Sequence, residues 1–315
     1  MIRILFAVLV LPMFTACSRE APALDPAKYP LTKITERVYV IHGPNDHPTP
    51  ANRGFMNNPG FVLTNKGVVV IDPGSSVQVG DMVLKAVASV TKEPVVAVFN
   101  THIHGDHWLG NDAIRRAYPK AVIYAHPAMI RAAPTDGEMW LNLMLTTTDQ
   151  ATRGTKLVAP TLGVEHEETL ALGGLHFRAL HNGPAHTDGD LMIEVVEEKV
   201  LFAGDNVVVE RVGRFDAGNV KGAIAACDLA LTTKAAMIVP GHGLTGSREL
   251  ITRHRAWLVK IHSAAAKLYA QGVSEIDAQE KILAELKDYR HWNNFDKDIG
   301  KAISLTWLQV EKEAF

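Results

Sequence analysis

Residues 95–107 read VVAVFNTHIHGDH, an apolar run that leads into a loop with three histidines and one aspartate. The run at 95–99 has the length and composition of a buried β-strand, so the sequence predicts that the histidines follow a strand end. Histidine is the commonest protein ligand for metal ions. A loop that only starts a helix has no use for three histidines. This stretch therefore predicts a metal centre.

The spacing within this loop is suited to two ions. Side chains two residues apart in an extended segment project to the same side, so His102 and His104 can bind one ion together. Asp106 and His107 lie beyond Gly105, where the chain can turn. They are therefore placed to reach a second ion.

Three more candidate ligands follow at strand ends or turns. His186 lies in the stretch GPAHTD, Asp205 follows an apolar strand at 200–203, and His242 follows a short strand at 237–239. Each alone would be an ordinary polar side chain. Together they place imidazole and carboxylate groups at the mouths of successive strands, where α/β proteins build their sites.

Strand and helix signals alternate along the rest of the chain. Two short apolar runs at 61–64 and 68–72 flank Asn65-Lys66-Gly67, which predicts a hairpin. Further strands are predicted at 122–125, 169–172, 176–180 and 191–196, with helices at 76–90, 126–150 and 222–231. From Ser247 onward the pattern is helical, with breaks near Gly272 and Arg290. Two β-rich blocks followed by helices, without a repeat or an internal linker, predict a single domain over residues 36–315.

This order of residues resembles the metallo-β-lactamase superfamily. The resemblance covers residues 36–245 and all five signature segments, with Asp72 matching an aspartate that supports the ligands without binding the ions. It implies a mixed α/β (α+β) fold, a four-layer αββα sandwich. Within the superfamily, residues 154–243 are most similar to exported zinc hydrolases named for sulfur-oxidation operons and quinoprotein relay systems.

The resemblance also implies a ligand set for two divalent ions. The first ion would be bound by His102, His104 and His186, the second by Asp106, His107 and His242, and Asp205 would bridge the two. Nitrogen and oxygen ligands without a thiolate suit zinc, and iron or manganese also fit. The implied activity is metal-dependent hydrolysis, in which a metal-bridging hydroxide, oriented by Asp106, attacks a small ester, lactone, thioester or amide.

Several other functions compete with this one. A periplasmic zinc β-lactamase is compatible with the His107 ligand, but Asp205 stands where known members carry Cys or Ser. A mononuclear iron persulfide dioxygenase and a relay protein without turnover are also consistent with the ligands. The net charge of −2 and the absence of a basic patch argue against a nucleic-acid partner. The expected partner is a small-molecule substrate.

The N-terminus predicts export. Residues 1–16 combine Arg3 with an apolar run at 4–14, which is too short to span a bilayer and typical of a signal peptide. The following Cys17 resembles the lipid-modified cysteine of bacterial lipoproteins, and Ser18 favours the outer membrane. Residues 17–35 are Pro- and Ala-rich and predict a tether. The expected location is periplasmic, with membrane contact only through the lipid on Cys17.

Two further segments are of interest near the predicted site. His47 and residues 52–58 lie between two early strands, a region that in the superfamily is often a flexible loop over the site. Met139, Trp140, Leu143 and Met144 lie in the predicted helix at 126–150 and are expected to pack in the core rather than to line a pocket. Cys227 is expected to be a buried, inert thiol.

Overall fold

The computed structural model describes residue 21 and residues 24–214 and 216–314. The predicted signal peptide and Cys17 lie outside the described residues. Two β-sheets pack face to face, and helices cover both outer faces. The predicted four-layer αββα sandwich is therefore confirmed.

The first sheet, within the described residues, has seven strands in chain order. They are β1 (Leu31–Lys33), β2 (Val38–Ile41), β3 (Gly60–Thr64), β4 (Gly67–Ile71), β5 (Val95–Phe99), β6 (Val122–Ala125) and β7 (Leu162–Gly163). β1 to β4 pair antiparallel, whereas β4 to β7 pair parallel. The predicted hairpin is confirmed, since β3 and β4 are joined by a turn at Asn65-Lys66.

The second sheet has the spatial order β13-β12-β11-β10-β9-β8 in the part of the chain that the structure describes. Its strands are β8 (Thr169–Leu172), β9 (Leu175–Leu180), β10 (Met192–Val195), β11 (Val200–Val208), β12 (Met237–His242) and β13 (Gly246–Ser247). Only the β11–β12 pair is parallel among these. Because parallel strands run in one direction, β11 and β12 carry their ligand residues to the same edge.

Helices form the two outer layers. They are α1 (Val77–Val90), α2 (Gly105–Trp108), α3 (Asn111–Ala117), α4 (Pro127–Thr147), α5 (Val220–Thr232), α6 (Glu249–Ala270), α7 (Glu275–Glu285) and α8 (Phe295–Glu313). The apolar faces of α1 and α3 cover the first sheet, and those of α5 to α8 cover the second. The predicted breaks near Gly272 and Arg290 are confirmed as the ends of α6 and α7. No helix among the described residues is both long and apolar enough to cross a membrane.

The core between the sheets is aromatic and β-branched. Phe99 of β5 stacks on Phe177 of β9 with ring centroids 5.6 Å apart. Val62 and Val69 from the first sheet meet Val200 of the second in the same fully buried cluster. Burying such side chains contributes about 1.5–3 kcal/mol each relative to exposure, which fixes the two sheets against each other.

Two strand ends were predicted too early, and the first is that of β12, which continues past Val239 and includes His242. The sequence placed Asp205 after a strand ending at 203, but β11 continues to Val208 and includes it. Pairing with β12 continues across the polar residues, with register shifts between Phe202 and Gly204 and between Gly204 and Val208. These irregularities let a carboxylate lie inside a strand and still point into the site.

Candidate metal centre

The seven predicted ligand residues converge at one edge of the two sheets. His102 and His104 follow β5, Asp106 and His107 lie in α2, and His186 lies between β9 and β10. Asp205 lies within β11, and His242 ends β12. All seven side chains are buried or nearly so. Residues separated by up to 140 positions in sequence thus form one cluster.

The first group comprises His102, His104, His186 and Asp205, whose donor atoms all lie within 4.8 Å of one another. His186 Nε2 lies 2.9 Å from His104 Nδ1 and 3.3 Å from Asp205 Oδ2. Two ring nitrogens and a carboxylate oxygen at such distances can share a cation.

The second group comprises Asp106, His107 and His242. Asp106 Oδ2 lies 3.4 Å from His107 Nε2 and 3.2 Å from His242 Nε2. The turn at Gly105 produces this geometry, since Asp106 and His107 belong to the short helix that starts there. They therefore face a different position from His102 and His104.

Asp205 contacts both groups. Its Oδ1 lies 3.2 Å from His107 Nε2, and its Oδ2 lies 3.3 Å from both His186 Nε2 and His242 Nε2. Gly241 permits this position, because a Cβ there would lie 1.9 Å from Asp205 Oδ1. The carboxylate is thus placed between the two sets of donors.

Contacts behind the histidines fix the direction of their rings. Asp72 has a left-handed backbone (φ 50°) and accepts hydrogen bonds from the Thr101 backbone N–H at 2.8 Å and from the Thr101 hydroxyl at 2.6 Å. His107 Nδ1 lies 2.8 Å from Asp72 Oδ2, and His102 Nδ1 lies 3.0 Å from Thr101 Oγ1. Because Nδ1 of each ring is engaged, Nε2 of each faces the cluster. The Asp72 carboxylate therefore lies directly behind His107 and beside Thr101, which contacts His102.

The cluster has the properties of a cation site. His102 Nε2, His107 Nε2 and Asp205 Oδ1 are buried and hydrogen-bond to none of the described residues. Buried polar atoms are rarely left in this way, so the convergence of these three fits the binding of a cation. The donors are nitrogen and oxygen only, which fits zinc and also iron or manganese.

The charges of the cluster also favour cations. Burial works against the charged form of Asp205, but His242, His107 and His186 outweigh it and hold the pKa of its carboxyl well below the usual range. The pKa of Asp106 is likewise held well below its usual range, because His107 and His242 outweigh burial. Burial lowers the pKa of His102 and His104 well below the ordinary value. Against the effect of burial, Asp106 and Asp205 raise the pKa of His107 and Asp205 raises that of His242, so in these two rings a cation would take the place of a proton. Carboxylates and deprotonated imidazoles are the forms that bind metal ions.

A cavity of about 240 Å³ opens onto the cluster. One wall is α4, which contributes Trp140, Leu143 and Met144, and the Trp140 ring lies 4.6 Å from that of His104. The expectation that these three residues only fill the core was therefore incomplete. Met139 neither packs in the core nor lines the cavity, since it is 54% exposed.

The opposite wall was not predicted from the sequence. It is formed by Arg211 and Arg214 in the segment after β11 and by Lys301 and Leu305 of α8. In the sequence, the basic residues after Ser247 have the spacing of a solvated helical face. Their helical spacing gives no sign that α8 folds back onto the site.

Comparison with known proteins identifies the family of this chain. The family model of the metallo-beta-lactamase superfamily matches residues 52–242. A hydroxyacylglutathione hydrolase of Synechococcus sp. (strain JA-3-3Ab) is 30% identical over 159 residues, which is 50% of this chain and 51% of that protein. A hydroxyacylglutathione hydrolase of Francisella tularensis subsp. holarctica is 25% identical over 269 residues, 80% of this chain and 90% of that protein.

Solved structures show the same fold. A metallo-beta-lactamase from Pontibacter korlensis superposes with a TM-score of 0.59 at 22% identity, covering 73% of this chain and 99% of that one. The sec-alkylsulfatase Pisa1 from Pseudomonas sp. superposes with a TM-score of 0.70 at 16% identity, covering 89% of this chain and 50% of that one. Together with the family match, these findings establish that the chain belongs to the metallo-beta-lactamase superfamily and is a metal-dependent hydrolase.

Proposed function

We propose that this protein is a dinuclear hydrolase of small esters, lactones, thioesters or amides. The observation that carries the proposal is the position of Asp205, whose oxygens lie 3.2–3.3 Å from nitrogens of both donor groups. His102, His104 and His186 would hold one ion, Asp106, His107 and His242 the other, and Asp205 would bridge them. Zinc suits this donor set best. The complete second group supports two ions over the single iron of a persulfide dioxygenase.

Bound divalent ions would supply a deprotonated water at neutral pH and polarise a scissile carbonyl. The residues around them have their own tasks. Asp106, ionised and buried, can accept a hydrogen bond from the attacking water and so orient it. Trp140 and Met144 exclude bulk water from one side of the cavity. The Asp72 carboxylate holds His107 in a fixed orientation throughout.

A thioester or another activated ester is the substrate best supported. Two relatives are named hydroxyacylglutathione hydrolases, and one of them aligns over 80% of this chain. Asp205 stands where zinc β-lactamases carry Cys or Ser, and Cys227 is buried in α5 rather than placed among the donors. These features weigh against efficient β-lactam hydrolysis.

The cavity wall adds a preference for negative charge. Arg211 is 5% exposed, lines the cavity, donates to the Asp46 backbone carbonyl at 3.1 Å, and lies 3.2 Å from His242 Nδ1. No described carboxylate lies within ion-pair distance of its guanidinium. A buried cation without a carboxylate can bind an anionic group of the substrate. Arg214 and Lys301 lie nearby but already bind Asp216.

A panel of matched substrates tests both parts of the proposal. Zinc-loaded protein is assayed on a thioester, a lactone, a cephalosporin and a phosphodiester, each with a chelator control, and on neutral and carboxylate versions of the thioester. We expect chelator-sensitive turnover that is fastest with the carboxylate thioester. Arg211→Gln should lower kcat/KM for the carboxylate thioester about 10- to 100-fold, because charged hydrogen bonds contribute about 1.5–3 kcal/mol.

The neutral thioester is the internal control for that variant, and its kcat/KM should fall less, because it loses only the contact of Arg211 with His242. Equal losses on both thioesters would contradict an anion-binding role for Arg211. Absence of turnover on the whole panel, with two ions bound, would contradict the hydrolase assignment for these substrates.

We also propose that the protein is exported and carries a lipid on Cys17, on the basis of residues 1–17. The full chain expressed in a Gram-negative host should fractionate with the outer membrane. Cys17→Ser should shift it to another fraction by preventing lipid attachment. An unchanged distribution of the variant would argue against lipidation.

A further inference from the structure

The segment Met56–Asn58 is buried against the metal centre. Its residues are 6%, 0% and 5% exposed, and it lies immediately before β3. The sequence suggested a flexible loop over the site for residues 52–58. The structure instead places this segment beneath the site, where it hydrogen-bonds to both sheets.

Asn58 binds the chain on both sides of His242. Its side-chain amide donates to the carbonyls of Pro240 at 2.8 Å and Gly243 at 2.6 Å. Its backbone N–H donates to the Gly241 carbonyl at 3.0 Å. Its Oδ1 accepts from the backbone N–H of Gly43 at 3.2 Å. One asparagine thus fixes the end of β12 to the end of β2.

The two preceding residues contact the ligands from behind. The Met56 carbonyl oxygen lies 2.9 Å from His242 Nδ1, which leaves Nε2 facing the cluster. Asn57 donates from its side-chain amide to the backbone carbonyl of Asp72 at 3.0 Å. The Asp72 carboxylate in turn holds His107. Three consecutive residues therefore lie behind both histidines of the second group.

The first group has different supports. His102 contacts Thr101, and the turn that carries His186 is held by Asp190, which accepts from the Thr187 backbone and hydroxyl. None of the hydrogen bonds from Met56–Asn58 reaches His102, His104 or His186 directly. The segment therefore acts on one half of the site.

We propose that Met56–Asn58 is a brace that positions His242 and His107 for the second ion. This inference rests on the proposed two-ion function. Contacts behind metal ligands commonly change metal affinity about 10- to 100-fold when they are removed. Asn58 gives the sharpest test, because Asp72, the partner of Asn57, also supports Thr101 beside the first group.

The test measures the affinity of each ion in Asn58→Asp. Aspartate keeps the size of the side chain and the acceptor for Gly43, but it replaces the NH₂ group that makes both donations by a single oxygen that faces the carbonyls of Pro240 and Gly243. Zn²⁺ affinities of the full chain are measured by chelator competition, and Co²⁺ titration follows the two sites by their absorption spectra. We expect the second ion to bind at least tenfold more weakly and the first ion to change less than twofold.

Gln78→Glu is the matched control. Gln78 is 2% exposed and donates from its amide to the Arg153 carbonyl at 2.8 Å, away from the metal centre. This variant makes the same change from a buried amide to an acid, so it should lower the Tm of the metal-free protein while both affinities persist. Asn58→Ser, which retains one donor, replaces Asn58→Asp if the latter does not fold.

The outcomes separate the brace from a general structural role. Provided that the wild-type protein binds two ions, three results for Asn58→Asp would overturn the brace. These are equal weakening of both ions, weakening of the first ion alone, and unchanged affinities. Wild-type protein that binds a single ion would overturn the two-ion function itself, and the brace with it. Selective loss of the second ion supports both.

Discussion

Asp205→Asn is expected to lower kcat/KM by roughly 10³-fold or more. When several residues act together in catalysis, removing one of them can cost about as much activity as removing all of them. The amide keeps the shape of the side chain but removes the negative charge that faces His107, His186 and His242. It also replaces one acceptor oxygen by an N–H₂ donor, which cannot bind a cation. The variant should therefore retain fewer than two ions per chain, as measured by elemental analysis after dialysis.

The control for this variant is Asp112→Asn. Asp112 is a buried carboxylate as well, but it binds Arg116 at 2.7 Å and the backbone N–H of Lys156 at 2.8 Å, away from the ligands. Its amide variant should lose some stability and keep both ions and full activity. If Asp205→Asn kept two ions and wild-type kcat/KM, Asp205 would not be a bridging ligand.

Local patterns in the sequence were sufficient for individual strands and helices, whereas the four-layer sandwich came from the family resemblance. The run at 95–99 became β5 with the predicted bounds, and the helix expected at 76–90 begins at Val77 with Ser76 as its N-cap. Both predictions depend on hydrophobic periodicity or helix capping, which are set by a few neighbouring residues. The grouping of His102 with His186 came from the family resemblance, because no local pattern joins residues 84 positions apart.

The parts that were missed depend on contacts remote in sequence. The edge strands β1, β7 and β13 have two or three residues each, too few for a periodic signal. Asn58 looks like an ordinary loop residue until Pro240 and Gly243 lie beside it. The role of Arg211 can be recognised only in the folded protein, where it lines the cavity between α4 and α8. In each case the tertiary environment, rather than the residue type, determines the role.

Gly241→Ala is expected to disrupt the centre almost as severely, although it adds a single methyl group. The new Cβ would lie 1.9 Å from Asp205 Oδ1, 2.8 Å from the Gly204 carbonyl carbon and 3.0 Å from the Asp205 backbone nitrogen. Two of these atoms are backbone in the paired strand β11, so the Asp205 carboxylate must move or the pairing of β11 and β12 must open. Forced overpacking of this kind costs about 1–3 kcal/mol.

We expect Gly241→Ala to lower kcat/KM at least about 100-fold, since small misplacements of reacting groups have effects of that order, and to weaken metal binding in the same preparation. Gly300→Ala is the control, because a Cβ at this position in α8 meets nothing within 4 Å. Alanine is preferred over glycine inside a helix by about 0.5–1 kcal/mol, so this control should raise the Tm and leave activity unchanged. A Gly241→Ala enzyme with normal activity and two tightly bound ions would mean that the Asp205 carboxylate tolerates displacement. The bridging geometry would then be a poor explanation of the catalytic role.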